Sequence, residues 1–277
     1  MNRRAFLAAT LLPAVLLLFP VSAGARQVPR ANEEAPPTSA REAAGFPLPP
    51  HEAGLPSPRG GGQRPSQSLT KEEKRLLAVP PEVRRPHADF LERPRTGIVR
   101  LLPRETYDRK LKLRGGGAYY SFAHREHQYG YGSDIELQRG YLSSGFAGAD
   151  FGFLTDLGDV PLEFVSAETE ALHFMTDFKI PSDEPEAREA ALWFSRIAGQ
   201  RVEGRWVEVN GQQVGEWYYA RRLPAVVGHT YALRSINYDS SDVLVAFRVL
   251  QKDDNGSIVL LWKMLKKFAT PTLRRRS

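Results

Sequence analysis

The alternation of hydrophobic and polar positions is most regular near the C-terminal end, over residues 226–268. Three apolar runs are separated there by two polar segments; the runs are 231–237, 243–250 and 258–265. The first separating segment, 238–242, is rich in short polar side chains that favour turns. The second, 253–256, ends in Asn255-Gly256, which predicts a type I′ hairpin turn because glycine and asparagine tolerate positive φ. The pattern predicts a three-stranded antiparallel meander.

The middle run of this meander is apolar on both faces. Strand side chains alternate, so one face carries four large residues and the other carries three, interrupted by Arg248. The first set is Val243, Val245, Phe247 and Val249, and the second is Leu244, Ala246 and Leu250. A strand that is apolar on both faces is covered on both sides, so we expect the meander to be central.

Shorter strand patterns precede the meander. They cover residues 97–102, 118–123, 135–138, 141–146, 151–154, 160–165 and 172–178, and a hairpin is predicted between 205–209 and 213–219 around Asn210-Gly211. One helix is predicted at about 184–198, capped by Ser182 or Asp183. Many short strands with a single good helix predict a mainly β fold, an antiparallel β-sandwich or barrel.

The N-terminal part has a different composition. Residues 1–25 combine Arg3-Arg4, an apolar run to Val21 and a small-residue end, which predicts a cleaved bacterial export signal. The arginine pair ahead of Phe6-Leu7 is typical of the twin-arginine pattern, whereas the leucine-rich middle also suits the general secretory route. We therefore expect a periplasmic or extracellular protein.

The segments between the signal and the β-rich domain are predicted from composition. Residues 26–67 hold mostly Pro, Gly, Ser, Ala and charged residues, which predicts a disordered tether. Residues 68–95 predict a short helical arm, with Thr70 and Glu73 as a capping box. The β-rich domain is predicted over 96–270, followed by a basic tail at 271–277. No second apolar run approaches 20 residues, so we predict no transmembrane segment after signal removal.

Charge and cysteine content narrow the function. The net charge of +6 is concentrated outside the domain, because residues 96–277 hold 24 basic and 23 acidic residues. Such a balance does not favour a nucleic-acid partner. With no cysteine in the chain, thiolate metal sites and thiol nucleophiles are excluded.

The richest chemistry lies between residues 119 and 134. Tyr129 and Tyr131 lie among glycines in a predicted loop, where binding residues concentrate, with Gln128 and Asp134 as hydrogen-bonding partners. The alternative interpretation is that tyrosines in this region are half-buried strand residues. His124 and His127 could instead bind a metal, although their spacing differs from that of the helical zinc-protease motif.

No catalytic template fits the sequence. Ser143 and Ser144 lack a Gly-x-Ser-x-Gly elbow, and the glycine clusters lack the phosphate-binding pattern. We therefore expect a non-catalytic exported module that binds a cell-envelope component, a carbohydrate or a protein. No cofactor is required by the sequence. The alternative is a metal-dependent hydrolase that uses His124 and His127.

Overall fold

Antiparallel strands dominate the structure, a computed structural model that describes residues 69–146, 149–195, 197–202 and 205–274, with 197–210 described through the backbone alone. The strands are β1 (Thr96–Leu101), β2 (Tyr119–Tyr120), β3 (Ile135–Gln138), β4 (Tyr141–Ser143), β5 (Phe151–Asp156), β6 (Ile197–Val202), β7 (Arg205–Asn210), β8 (Gln212–Val214), β9 (Trp217–Tyr219), β10 (Arg222–Pro224), β11 (Thr230–Asn237), β12 (Ser241–Lys252) and β13 (Ile258–Lys267). The helices are α1 (Lys71–Leu77), α2 (Pro81–Arg84), α3 (Ala88–Leu91), α4 (Arg104–Tyr107), α5 (Glu170–Asp177) and α6 (Glu184–Trp193).

Two sheets and two ribbons account for these strands. The larger sheet has the order β1-β13-β12-β11-β5, and the second has the order β10-β4-β3-β2. β6 pairs with β7 and β8 with β9, and all of these pairings are antiparallel. The prediction of a mainly β, antiparallel fold with a helix is confirmed.

The C-terminal meander forms the middle of the larger sheet, as predicted. Phe247 of β12 lies opposite Tyr231 on one side and Trp262 on the other, and all three side chains are buried. The prediction of a type I′ turn is wrong, because only Gly256 has a positive φ, 83°, and Asn255 does not. The N–H of Gly256 donates to the carbonyl of Asp253 at 2.9 Å, which makes Asp253 the first and Gly256 the last residue of a four-residue turn. Glycine is therefore not one of the two central residues, as a type I′ turn around Asn255-Gly256 would require.

Apolar side chains cover both faces of the larger sheet. One face packs against the second sheet, where Ile135, Leu137 and Leu142 meet the meander. The opposite face packs against α5 and α6 through buried Met175 and Phe194. The sheet is therefore the middle layer of the domain, which explains why β12 is apolar on both faces.

Backbone hydrogen bonds join the two sheets at both edges. Leu154 of β5 and Ala220, just before β10, exchange two bonds of 2.7 and 2.9 Å. At the opposite edge the N–H of Leu102 donates to the carbonyl of Gly117 at 3.1 Å, next to β1 and β2. The architecture is thus a sandwich whose edges approach the closure of a barrel.

The predicted capping box opens α1. The N–H of Glu73 donates to Thr70 Oγ1 at 3.2 Å, and the N–H of Thr70 donates to Glu73 Oε2 at 2.8 Å. The other carboxylate oxygen of Glu73 accepts from the N–H of Leu113 at 2.6 Å. Burial alone would raise the pKa of this carboxyl, but the backbone donors outweigh it and hold the pKa below its ordinary value. Glu73 therefore fastens the helical arm to the domain.

Three local predictions are wrong. Residues 172–178 were expected as a strand, but 172–177 belong to α5 and Phe178 is its C-cap; Ala171, Leu172 and Met175 face the core at helical spacing. Residues 160–165 form a turn of 3₁₀-helix, Leu162–Phe164, because Pro161 cannot donate to a ladder. The hairpin around Asn210-Gly211 does not form: β7 pairs with β6, and β8 pairs with β9.

Other predicted segments differ in extent. α6 lies within the predicted helix, but Phe194 is its C-cap and residue 197 already begins β6. Asp183 is the N-cap residue, without a side-chain cap bond. The predicted signal, 1–25, and tether, 26–67, lie outside the described residues, as do residues 275–277. The N–H of Arg274 donates to the carbonyl of Ser182 at 2.8 Å, so the described start of the predicted tail contacts the domain.

A buried ion pair fixes α5 to the larger sheet. Arg234 of β11 donates to both carboxylate oxygens of Asp242 on β12, at 2.7 and 2.8 Å, and both side chains are buried. The same guanidinium also donates to the carbonyls of Met175 and Thr176 at the end of α5. A cation there satisfies carbonyls that the helix itself leaves unpaired.

Candidate functional site

The loop that joins β2 to β3 spans residues 121–134, and its part 121–133, called loop 121–133, carries most of the predicted site. It begins with a tight turn in which the N–H of Ser121 donates to the carbonyl of Glu126 at 2.8 Å. Arg125 has a φ of 61° in this turn, a conformation that is uncommon outside glycine. Gly130 and Gly132 both have a φ of 82° and reverse the chain again before β3. Glycine therefore gives the loop its shape.

Asp134 anchors the loop from inside the domain. Its carboxylate is buried and accepts from the backbone N–H of Phe122 at 2.6 Å and of Ala123 at 3.2 Å. Ser121 Oγ and Asn237 Nδ2 donate to it as well, at 3.3 and 2.9 Å. Burial raises the pKa of this carboxyl against the opposing effect of its donors. Asp134 was predicted as a ligand partner, but its hydrogen-bonding atoms face these internal donors.

The two predicted tyrosines are half-buried. Tyr129 packs edge-on against Tyr119, with ring centroids 4.9 Å apart, and the guanidinium of Arg114 lies 4.9 Å from the centroid of its ring. Gln128 is also half-buried, and its Nε2 donates to the carbonyl of Tyr131. The structure thus brings Gln128, Tyr129 and Tyr131 together on one loop. Their role in binding stays a prediction.

The two histidines use their Nδ1 atoms on different partners. His124 is exposed, with Nδ1 2.9 Å from Oε1 of Gln128. His127 donates from Nδ1 to the carbonyl of Tyr119 at 3.0 Å. Burial lowers the pKa of His127 to about 4, so its imidazole is neutral at pH 7. Within the described residues, no group of three His, Cys, Asp or Glu side chains could hold a metal ion.

A groove of about 310 Å³ lies beside this loop, between the helical arm and the sheets. Its lining residues are Leu69, Lys74, Leu77, Ala78, Val79, Ile98, Val99, Arg100, Tyr120, Arg125 and His127. Three of these are permanent cations, and none of them is a carboxylate. The guanidinium of Arg100 also pairs with Asp253, which lies outside the lining, and its charge is thereby partly neutralised. No ion pair of Lys74 or Arg125 is found among the described residues. The groove therefore favours an anionic ligand.

The ring of Trp262 and a backbone carbonyl hold the cation of Arg125 in place. Its guanidinium carbon lies 5.4 Å from the ring centroid of Trp262, and one of its nitrogens donates to the carbonyl of Thr96 at 3.3 Å. Tyr120 packs edge-on against His127, with ring centroids 5.5 Å apart. Burial raises the pKa of Tyr120 to about 12, so the hydroxyl stays protonated and able to donate. The groove thus has a positioned cation, Arg125, next to the protonated phenol of Tyr120 and the neutral imidazole of His127.

A larger hollow of about 360 Å³ lies on the arm itself. It is lined by Arg84, Arg85 and Glu92 together with Pro81, Ala88 and Leu91. It carries both signs of charge and includes no residue of the sheets or of loop 121–133. The groove at the loop is the better candidate because it joins cations, aromatic rings and strand backbone in one place.

A histidine–carboxylate pair lies elsewhere on the domain. His229 Nδ1 is 3.0 Å from Oδ2 of Asp156, and Asp156 also accepts from the N–H of Gly158 at 2.8 Å. Nucleophilic catalysis needs a hydroxyl or thiol bonded to such an imidazole. Among the described residues, the hydrogen bonds of His229 through its ring go to Asp156, and the hydroxyl of Thr230 donates to a backbone carbonyl instead.

Sequence reasoning missed Lys74, Arg100 and Arg125 as site residues. Lys74 and Arg100 lie 26 positions apart and meet only because α1 packs beside β1. An arginine in a strand pattern was the available signal at Arg100, but the pattern does not say that β1 is an edge strand.

Comparison with known proteins adds no relative. No protein-family model, curated protein or solved structure matches the chain. Among the described residues, no helix has both the length and the apolar character that crossing a bilayer requires.

Proposed function

We propose that the chain is an exported, non-catalytic binding module that attaches to an anionic component of the bacterial cell envelope through the groove beside loop 121–133. The observation that carries this proposal is the lining of the groove, with three cations and no carboxylate. The export pattern of residues 1–25 supplies the compartment in which such a component would be met.

Binding is favoured over catalysis by the state of the polar groups around the groove. The carboxylate of Asp134 accepts hydrogen bonds from internal donors, and His127 donates from Nδ1 to a backbone carbonyl. A metal site needs several convergent ligand atoms, and no group of three His, Cys, Asp or Glu side chains among the described residues supplies them. No observation on the described residues favours the metal-dependent hydrolase with His124 and His127.

Sedimentation with washed bacterial envelopes tests the proposal. The double variant Lys74→Gln/Arg125→Gln removes two cations of the groove without burying a charge, so it should fold normally and lose most retention. The matched control is Lys71→Gln, an exposed lysine on the same helix that does not line the groove. Equal retention of the double variant and the control would eliminate the groove as the binding surface. A wild-type protein that does not pellet with envelopes would eliminate the attachment itself.

The tyrosines are tested separately. Because Tyr129 packs on Tyr119, its removal would confuse folding with binding, so the informative change is Tyr131→Ser. Retention should fall while the unfolding midpoint changes little, if Tyr131 contacts the ligand from the same loop. Unchanged retention would restrict the site to the groove.

A further inference from the structure

Among the described residues, no strand pairs with the outer edge of β1 in the larger sheet. β1 is an edge strand, and the N–H of Met264 donates to the carbonyl of Arg95 at 2.8 Å, just before β1. In an antiparallel ladder, hydrogen-bonded pairs alternate with non-hydrogen-bonded pairs. Counting from Arg95, the residues of β1 that bond β13 are therefore Gly97, Val99 and Leu101. The intervening residues Thr96, Ile98 and Arg100 direct their N–H and C=O groups away from β13.

In the described part of the chain, the outward groups have partners at the two ends of the strand. Leu102, next in the outward series, donates to Gly117, and the carbonyl of Thr96 accepts from the side chain of Arg125. Between these two points, no protein group among the described residues pairs with the outward backbone of Ile98 or Arg100. Both residues line the groove.

The neighbouring strand does not close this gap. β2 would be the next strand of a barrel, since Gly117 lies beside Leu102 and Arg125 beside Thr96. The carbonyl of Tyr119 in β2 is instead occupied by the imidazole of His127. The helical arm contacts the edge through the guanidinium of Arg100, which donates to the carbonyl of Ala78 at 3.4 Å, rather than through its own backbone.

We propose that the groove takes an extended acidic peptide, which adds as a strand to the outer edge of β1. This proposal rests on the proposed binding function and names the partner class for the same site. The outward groups of Ile98 and Arg100 repeat every two residues, about 6.6 Å apart, which is the repeat of an extended peptide backbone. In strand addition, these main-chain bonds supply affinity and the side chains on either face supply specificity.

Charge complementarity selects an acidic sequence. Lys74 lies on the arm side of the groove and Arg125 on the loop side, while Arg100 lies on the strand itself. An acidic extended peptide can place carboxylates beside Lys74 and Arg125, which have no ion pair among the described residues, whereas Arg100 already pairs with Asp253. An acidic saccharide could use the same cations, but it lacks the regularly spaced amides that match the edge of β1.

The test measures binding of a labelled heptapeptide, acetyl-Glu-Val-Glu-Val-Glu-Val-Glu-amide, by fluorescence anisotropy at low salt. The key variant is Ile98→Pro, which removes one outward N–H that is not bonded to β13; proline is tolerated at such an edge position. Ile98→Ala is the matched control, because it also removes the side chain but keeps the N–H. Far-UV circular dichroism and denaturant unfolding verify that both variants fold.

Ile98→Pro should bind the peptide about fivefold more weakly than Ile98→Ala, as expected for the loss of one backbone hydrogen bond. Lys74→Gln/Arg125→Gln should weaken binding about tenfold at low salt and reduce its salt dependence. The same peptide with every backbone nitrogen methylated should not bind, since it keeps the charges and loses the donors.

Other outcomes overturn the inference in distinguishable ways. Equal binding by the two Ile98 variants, or binding of the methylated peptide, would show an anion site without strand addition and would leave the proposed function intact. Binding of oligogalacturonate but not of the peptide would assign the groove to an acidic saccharide. If neither probe binds but the protein is retained on envelopes, the peptide proposal is overturned and the proposed attachment function is unaffected.

Discussion

The histidine that occupies the edge of β2 should make the stability of the domain depend on pH in the acid range. Burial lowers the pKa of His127 from 6.5 to about 4. Above a pH of about 6.5 the imidazole is neutral in both the folded and the unfolded chain, so it does not make the free energy of unfolding depend on pH. Between about 6.5 and 4 the unfolded chain binds a proton that the folded chain does not. The free energy of unfolding therefore falls as the pH is lowered through this window.

The magnitude follows from the size of the shift. A pKa difference of one unit corresponds to about 1.4 kcal/mol, so a shift from 6.5 to about 4 corresponds to about 3 kcal/mol at the acid end of the window. Protonation of carboxyl groups such as Glu73, whose pKa is lowered in the fold, also lowers the free energy of unfolding over an overlapping pH range. The wild-type slope alone therefore does not isolate the histidine.

A matched pair of variants does isolate it. His127→Gln keeps an N–H donor for the carbonyl of Tyr119 but does not titrate, and His124→Gln makes the same change at an exposed imidazole three residues away. Urea unfolding from pH 7.5 to 4 should show a smaller loss of stability for His127→Gln than for the wild type, by about 3 kcal/mol. His124→Gln should follow the wild type. Parallel curves for all three proteins would refute the reasoning.

Three further predictions concern stability in denaturant unfolding at pH 7. Phe247→Ala should cost about 3–5 kcal/mol, because its ring is buried in a central strand, and a loss under about 1 kcal/mol would contradict that position. Arg234→Met should cost about 3–5 kcal/mol by leaving the buried carboxylate of Asp242 unpaired, and the double change Arg234→Met/Asp242→Leu should recover much of that loss. Gly116→Ala should cost about 1–3 kcal/mol more than Gly130→Ala, since both have positive φ but only at Gly116 would a Cβ meet backbone atoms; equal losses would show that φ alone matters.

The meander was predictable because its signal is redundant. Val245 and Phe247 alternate with Leu244 and Ala246, so both faces of β12 are apolar. This pattern indicates burial on each face without knowledge of any distant partner. The capping box at Thr70 and Glu73 was predictable for a related reason, since both groups lie within one turn of the chain. Local patterns determine these elements, and tertiary packing does not override them.

α5 was missed because a short apolar run is compatible with both the two-residue period of a strand and the 3.6-residue period of a helix. Leu172, Phe174 and Phe178 fall on a strand-like alternation, whereas Ala171, Leu172 and Met175 fall on a helical face. The choice is made by tertiary contacts. Phe174 and Phe178 both pack against Phe153 of β5, with ring centroids 5.8 and 5.2 Å apart, which the sequence does not express.

Asp134 was placed on the surface by its neighbours in the sequence. A carboxylate next to Gly130 and Gly132 is typical of an exposed loop. Its bond to Asn237 instead crosses 103 residues and fastens the loop to the end of β11. Buried carboxylates are retained when several donors satisfy them, and Asp134 has four such donors within 3.5 Å.

The groove follows from a pairing that the two sheets do not complete. β1 and β2 approach at Leu102 and Gly117, and a closed barrel would continue that ladder past Arg100 and Tyr119. The imidazole of His127 takes the carbonyl of Tyr119 and so satisfies the edge of β2 from within its own loop. The burial that this position requires is the same burial that lowers the pKa of His127. At Ile98 and Arg100 the edge of β1 has no such substitute among the described residues, which leaves this part of the edge as the side of the groove that an added strand can pair.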